Sequence, residues 1–386
     1  MSPSTLRAQV PVVDAATMLA ASDATVIDLR SPGEFGEDHV PGAVNVPLFD
    51  DTERALIGTL YARTSPAAAF DAARGRTVAK IEALVAAIAD HARWAVPAVD
   101  LAERVAAMTA GGIGTLEREL TVQRADVPER PVVLHCWRGG LRSRSVVALL
   151  RGLGLERAVG VAGGYKEYRR QVMEELAAWR APATFVLRGL TGVGKTLVLR
   201  ALEGIRPRWT LDLEGLAGHR SSILGMVGLE PCSQRTFDSR LRARLSAGFP
   251  GPCVIEGESR KVGDVVVPVS VWKALQSGTN VQLVAPLERR IEVLRCDYLG
   301  HTENRTKLAE QLPFIEERLG ARKWKGELVR LLDTDRIDEL VATLLELYYD
   351  PLYLHSETGR RYVQRVDASD PERAAAEVAA IVDEAS

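Results

Sequence analysis

One stretch in the middle of the chain restricts its fold more than any other. Gly189-Leu190-Thr191-Gly192-Val193-Gly194-Lys195-Thr196 has the spacing G-x-x-x-x-G-K-[ST]. It follows an apolar run, Phe185-Val186-Leu187, and leads into Leu197, Leu199 and Leu202 at helical spacing. Such a loop works where a buried strand hands over to a helix. Its glycines let backbone N–H groups surround phosphate oxygens, and the helix N-terminus adds to the field. Gly189, Thr191, Gly192, Val193 and Gly194 are therefore expected to cradle a diphosphate-like ligand. Lys195 supplies a mobile positive charge, and the Thr196 hydroxyl is placed to ligate Mg²⁺. The motif specifies neither ATP nor hydrolysis.

The residues around this loop predict an α/β domain. Val254-Ile255, Val281 to Val284 and Tyr362 to Val366 read as further buried strands of a parallel sheet. Glu256 and Glu258 follow the first of these, where an acidic residue can position a metal ion or a proton. Ser369-Asp370-Pro371-Glu372 reads as a capping box, with Ser369 as the cap of the last helix. Trp179-Arg180-Ala181-Pro182 reads as a linker, because proline disfavours helix in the residue before it.

The first half repeats the alternation of strands and helices. Val26-Ile27-Asp28-Leu29 is a short apolar run ending at turn chemistry, Ser31-Pro32-Gly33. A second run, Val132-Val133-Leu134-His135, leads directly into Cys136. Between them, residues 51–130 are rich in Ala, Leu and Glu, and Ile81, Leu84, Val85 and Ile88 recur at helical spacing. This predicts a helical insertion with a scaffold or interface role. The 386 residues thus divide into two α/β domains, 1–180 and 181–386.

His135-Cys136-Trp137-Arg138-Gly139-Gly140-Leu141-Arg142-Ser143 is the second loop that carries chemistry. It lies between a strand and the apolar helix from Val146 to Leu150. Gly139 and Gly140 let the backbone curl into a nest, which binds an anion or stabilises a thiolate. Arg138 and Arg142 add positive charge, so Cys136 is expected to be a nucleophile. Cys232, Cys253 and Cys296 read as inert. The four cysteines form no CxxC pair and no zinc spacing. With no apparent signal peptide and no long apolar run, the chain reads as a soluble protein of a reducing cytoplasm.

Asp28-Leu29-Arg30-Ser31-Pro32-Gly33-Glu34-Phe35, His39-Val40-Pro41-Gly42-Ala43-Val44-Asn45-Val46-Pro47 and Gly163-Gly164-Tyr165 resemble segments of the rhodanese family. Cys136 looks like its persulfide-carrying cysteine. The usual sulfurtransferase loop has four residues between cysteine and arginine. Here there are five, Trp137 to Leu141, as in the related dual-specificity phosphatases, and that width suits a tetrahedral anion. Leu213-Glu214-Gly215-Leu216-Ala217-Gly218-His219-Arg220-Ser221-Ser222 and Glu256-Gly257-Glu258-Ser259-Arg260-Lys261-Val262-Gly263 resemble stretches of the tRNA 2-selenouridine synthases. That family usually has glycine in place of Ser221.

The resemblance implies a rhodanese-like domain followed by a P-loop NTPase-like domain. It implies S-geranylation of wobble 2-thiouridine from geranyl diphosphate, then replacement of the geranylthio group by selenium from selenophosphate. It makes His219, Arg220, Glu256, Glu258 and Arg260 supporting residues of an active site. No tightly bound cofactor is implied beyond Mg²⁺, and the partner is the anticodon arm of tRNA. The chain has 49 Lys and Arg against 51 Asp and Glu, a net charge of −2, so RNA binding requires a local basic face. Arg235, Arg240, Arg242 and Arg244 on one predicted helix are candidates. So are Arg318, Arg322, Lys323 and Lys325, near a segment read as a lid, with Trp324 beside them as a stacking or packing residue. Two rival readings remain: a phosphatase using the five-residue loop, and a P-loop small-molecule kinase with a regulatory rhodanese module. A non-catalytic RNA-binding module has no use for two complete anion loops.

Overall fold

The structure is a computed structural model that describes residues 8–300, 303–357 and 359–385. It forms two compact units, Met1–Glu174 and Glu175–Ser386. The first is built on β1 (Ala8–Val13), β2 (Thr25–Asp28), β3 (Val44–Asn45), β4 (Leu120–Arg124), β5 (Val132–His135) and β6 (Ala158–Val161). They make one sheet in the order β3-β2-β5-β6-β1-β4, parallel throughout. The two apolar runs of this half are β2 and β5, paired side by side with Ile27 opposite Leu134. Both lie in the middle of a sheet covered on two faces, which is why they are continuous rather than alternating.

The segment between β3 and β5 carries the helices Asp51–Arg63, Pro66–Ala92, Leu101–Thr109 and Gly112–Glu119. Ile81, Leu84, Val85 and Ile88 turn inward from the longest of them, as their spacing requires. The insertion is not wholly helical, however. It ends in β4, which lies at the sheet edge beside β1. Only Leu120 of β4 is buried, so the strand has no apolar run to reveal it.

The second unit contains β7 (Thr184–Arg188), β8 (Thr210–Leu211), β9 (Cys253–Glu256), β10 (Lys261–Val262), β11 (Val265–Val266), β12 (Thr279–Val284) and β13 (Gln364–Asp367). Five of them form a parallel sheet in the order β13-β12-β7-β9-β8, while β10 and β11 make a small antiparallel hairpin. β7 is central, so the phosphate loop emerges between two strands. The last strand starts at Gln364, two residues later than expected. The last helix, Pro371–Ala385, is capped by Asp370 and not by Ser369. The Asp370 carboxylate accepts the Glu372 and Arg373 N–H groups at 3.0 and 3.2 Å. Asp367 has already captured the Ser369 amide and hydroxyl, at 2.9 and 2.6 Å. Among the described residues no helix is long and apolar enough to cross a membrane.

Candidate active site: two anion loops

Cys136 follows the last residue of β5, at the carboxyl end of the parallel strands, where open α/β sheets place their sites. The loop then enters the helix Leu141–Gly152 through Gly140, which is extended and provides no side-chain cap. Gly139 has φ 63°, and a Cβ there would lie 2.6 Å from the Val161 carbonyl oxygen. Only glycine fits that curl. Cys136 is 2% exposed, and its Sγ lies 3.3 Å from the Ser143 hydroxyl. Arg138 is exposed and Arg142 half-buried. Arg144, which nothing in the sequence marks, donates its Nε–H to the Gly139 carbonyl at 3.0 Å and braces the turn.

The Gly163-Gly164-Tyr165 segment latches this loop from the other side. The Tyr165 N–H donates to the Cys136 carbonyl and the Lys166 N–H to the Trp137 carbonyl, both at 2.9 Å. A Cβ on Gly164 would come within 2.4 Å of the Cys136 oxygen. Behind the latch, Arg30 binds Asp28 through two N–H groups, at 3.1 and 2.6 Å, and lies 3.6 Å from the Tyr165 ring centre. The Tyr165 hydroxyl donates to Asp38 at 2.6 Å. Burial, and then the Asp38 carboxylate, raise its pKa far above the usual tyrosine range, so the ring stays neutral. Burial also holds His135 below the usual histidine range, which keeps it uncharged beside the cysteine. The backbone of the loop is thus fixed by main-chain hydrogen bonds, with a neutral tyrosine and a neutral histidine packed behind it.

In the second unit Gly189, Gly192 and Gly194 have φ values of 158°, 77° and 90°, and the helix Lys195–Ile205 starts directly behind them. A Cβ on Gly192 would lie 2.9 Å from the Arg290 carbonyl. Arg290 donates to the Thr191 carbonyl at 2.9 Å and to both Asp350 oxygens at 2.5 and 2.9 Å, which ties the loop to the helix Leu287–Leu299. The Val193 side chain is buried in the core, and its N–H donates to the Leu190 carbonyl at 3.2 Å. The Gly189 N–H donates to the Tyr353 hydroxyl at 2.7 Å, and the Lys195 ammonium lies 5.7 Å from that ring.

Beside the loop lies an acidic cluster. The Thr196 hydroxyl donates to Glu256 at 3.3 Å and is 3.5 Å from Glu214. Glu256 is fully buried at the end of β9 and accepts the Glu214 N–H at 2.7 Å. Carboxylate oxygens of Glu214, Glu256 and Glu258 lie within 4.8 Å of one another. Burial and mutual repulsion raise the pKa values of Glu214 and Glu256 well above the usual carboxylate range. Burial alone would lower Lys195, but the facing Tyr353, Glu258, Glu214 and Glu256 outweigh it and hold the ammonium charged. Three acids and a hydroxyl are an all-oxygen donor set, which suits a hard cation such as Mg²⁺. Glu214 does not stand out in the sequence. Its signal, an acid just past a short strand and the Asp212 cap, is clear only once β8 is seen to lie beside β9.

The other expected site residues divide. Arg220 lines the phosphate-loop cavity, donates to the Val227 carbonyl at 2.8 Å and lies 3.5 Å from Asp297. Ser221 lines it too, with φ 45°, a left-handed conformation in which the family's glycine is unstrained. His219 and Arg260 do not line the cavity. The His219 ring is enclosed between Gly225 and Gly263, where a Cβ on either would approach it to 2.5 Å, and burial lowers its pKa. Arg260 is exposed.

The arginine helix is Gln234–Ser246, and its basic side chains do not form one free face. Arg242 is paired with Glu175 at 2.6 Å. Arg244 donates to the carbonyls of Thr210, Arg208 and Gly248 and covers the Phe249 ring at 4.2 Å. It is a structural residue and no free phosphate ligand. Arg240 is exposed, with one bond to the Leu216 carbonyl at 3.2 Å, and Arg235 is half-buried. Arg322, Lys323 and Lys325 are exposed beyond Gly320, whose φ of 107° kinks the helix Glu303–Trp324. Trp324 packs on the core below them, and Arg318 donates to the Tyr348 hydroxyl at 2.7 Å. Arg244→Ala is expected to cost about 1–3 kcal/mol of stability, because it strands several partly buried carbonyls. Urea denaturation checks this; a variant as stable as the parent would return Arg244 to the surface set.

Comparison with known proteins agrees with this arrangement. Residues 182–381 match the tRNA 2-selenouridine synthase AAA domain, and residues 12–80 match the rhodanese-like domain. The second match stops inside the helical insertion, before Cys136. A tRNA 2-selenouridine synthase of Chromohalobacter salexigens is 33% identical over 363 residues, covering 87% of this chain and 88% of the relative. Those of Cupriavidus necator and Cupriavidus pinatubonensis are 31% and 30% identical over 366 and 378 residues. They cover 87% and 89% of this chain, and 89% and 91% of the relatives. The resemblance drawn from the two loops holds over both halves of the sequence, and the chain belongs to the tRNA 2-selenouridine synthase family, transferases that modify tRNA.

Proposed function

We propose that the protein modifies wobble 2-thiouridine of tRNA in two steps. It first geranylates the sulfur from geranyl diphosphate, then replaces the geranylthio group with selenium from selenophosphate. The observation that supports this most is the presence in one chain of two differently built anion sites. One is a thiol in a glycine nest, and the other a lysine-bearing phosphate loop beside an oxygen-only acidic cluster.

In the first step the thione sulfur attacks the geranyl carbon and diphosphate departs. The loop N–H groups, the helix N-terminus and Lys195 stabilise the charge that develops on the leaving oxygen. Trp272, Tyr348, Leu352 and Tyr353 line the rest of a cavity of about 640 Å³ there and give the prenyl chain an apolar surface. Thr196, Glu214, Glu256 and Glu258 would hold Mg²⁺, which when bound adds further charge neutralisation. No tightly bound organic cofactor is called for. In the second step the nest and its arginines hold selenophosphate. Cys136 attacks phosphorus, so that selenium is released as selenide and neither element changes oxidation state. Water then frees the cysteine as phosphate leaves. The five-residue loop, wide enough for a tetrahedral phosphoryl group, supports attack at phosphorus. With tRNA as substrate, the cytoplasm is the proposed site of the reaction.

The deciding experiment is mass spectrometry of tRNA nucleosides from cells with and without this protein. Loss of 2-selenouridine and of its S-geranylated precursor is expected; an unaltered nucleoside profile would refute the reading. RNA binding should use the exposed Arg240 and the Arg322, Lys323 and Lys325 group. Each lost phosphate contact lowers the logarithmic salt slope by about one. Arg322→Glu with Lys323→Glu should therefore weaken anticodon-arm binding at low salt and flatten its salt dependence. Titrations at several ionic strengths measure both, and a slope equal to the parent's would acquit these residues.

A further inference from the structure

The helical insertion has no part in the chemistry described so far, yet it does more than cover the sheet. Ile57, Phe70, Ala73, Met108, Ile113 and Leu116, drawn from its four helices, wall a cavity of about 620 Å³. The cysteine loop forms another wall, and Cys136, Arg138 and Arg142 all line the same space. Ile57, Phe70, Ala73 and Met108 are only partly buried: they pack on the core and leave surface to the cavity. The volume is typical of a small-ligand site, roughly 300–1,000 Å³.

An anion of phosphate size needs only the loop. It gains nothing from hydrocarbon walls, since burying charge against apolar surface is unfavourable. The occupant that matches the whole space has a reacting end at the loop and a hydrocarbon arm under the insertion. We infer that this cavity is the alkyl-chain site of the selenium step: it receives the prenyl chain of the S-alkylated base. The inference rests on the proposed function, in which a geranyl thioether is the substrate of that step. Selenide forms a bond to C2 of the base as the C2–S bond breaks. The sulfur leaves with that electron pair and with its chain attached, takes up a proton and departs as geranylthiol. Walls that hold the chain place the leaving sulfur next to the cysteine loop and keep water from C2. They also explain how one enzyme avoids spending selenophosphate on unalkylated thiouridine, which cannot fill the site.

The test uses the full-length protein, selenophosphate and anticodon-arm RNAs bearing S-geranyl- or S-methyl-2-thiouridine. Each buried methylene is worth roughly a four-fold preference, so kcat/KM for the geranyl RNA should exceed that for the methyl RNA by at least ~10-fold. Gly58 lies on the cavity wall, and a Cβ there meets no atom within 4 Å, so a larger side chain starts from it without a backbone clash. Gly58→Trp, and independently Ala73→Trp, should bring the ratio towards unity while the protein still unfolds cooperatively near the parent temperature. Equal rates for the two RNAs with the parent protein, or a full geranyl preference in both folded variants, would overturn the alkyl-chain site and leave the proposed function standing. Failure of the parent to selenate either RNA would overturn both.

Discussion

Cys136→Ala is expected to lose selenium incorporation by about 10³-fold or more, the scale on which removing a nucleophile acts, and to keep S-geranylation. The difference follows from what each step needs. Selenophosphate must be opened by a nucleophile, and Cys136 is the thiol at the centre of the glycine nest, 3.3 Å from Ser143. Alkylation at sulfur uses the lone pair of the thione and needs no group from the protein. The backbone around the cysteine is fixed by bonds from Tyr165 and Lys166 to main-chain carbonyls, which the substitution leaves in place. Purified variant, thiolated RNA and each donor in turn, followed by nucleoside mass spectrometry, give the answer. Full selenation by the alanine variant would remove the cysteine from the mechanism.

Lys195→Ala should reverse that pattern. Its geranylation rate should fall about 10²–10³-fold, mostly in kcat, because the ammonium stabilises charge that appears as diphosphate leaves. Selenation of RNA that already carries the geranyl group should be spared. The facing acids and Tyr353 raise the Lys195 pKa, so the charge persists above the usual lysine range and no alkaline loss of geranylation should come from this group. Lys195→Arg is not expected to restore the rate, since a planar guanidinium cannot replace a compact ammonium in a loop this tightly braced. Unaltered geranylation kinetics in the alanine variant would place the donor elsewhere.

The parts of the fold that could be read in advance share a cause. β2, β5, β7 and β9 lie inside their sheets, so they carry short apolar runs, β12 shows through Val281, Leu283 and Val284, and both loops follow such runs with the glycines their curvature demands. β4 escaped because an edge strand with one buried residue looks like any polar segment. Tyr353 could not be foreseen: it reaches Gly189 from 164 residues further along the chain. Arg244 misled for a different reason. A helical arginine reads the same whether its guanidinium faces solvent or folds back on carbonyls, and only the distances to Thr210 and Arg208 decide it. The cavity over Cys136 was illegible because alanines, leucines and an occasional phenylalanine state that helices pack, not where they leave a gap.

The strand order of the first unit has a consequence for biosynthesis. β1 is made first, yet it pairs with β4 and with β6: Val10 lies opposite Val122, and Val12 opposite Gly160. While the ribosome is still translating the insertion, the leading strand has no neighbour to bond. The inward faces of Ile81, Leu84 and Ile88 meanwhile have only β2 and β3 of that sheet to pack on, without β5 and β6. Pairing over such separations is slow, and apolar surface left waiting invites aggregation. The nascent chain should therefore depend on chaperone cover until Val161 clears the exit tunnel. Residues 12–80, although recognisable on their own as rhodanese-like, hold too little of the sheet to fold as a fragment.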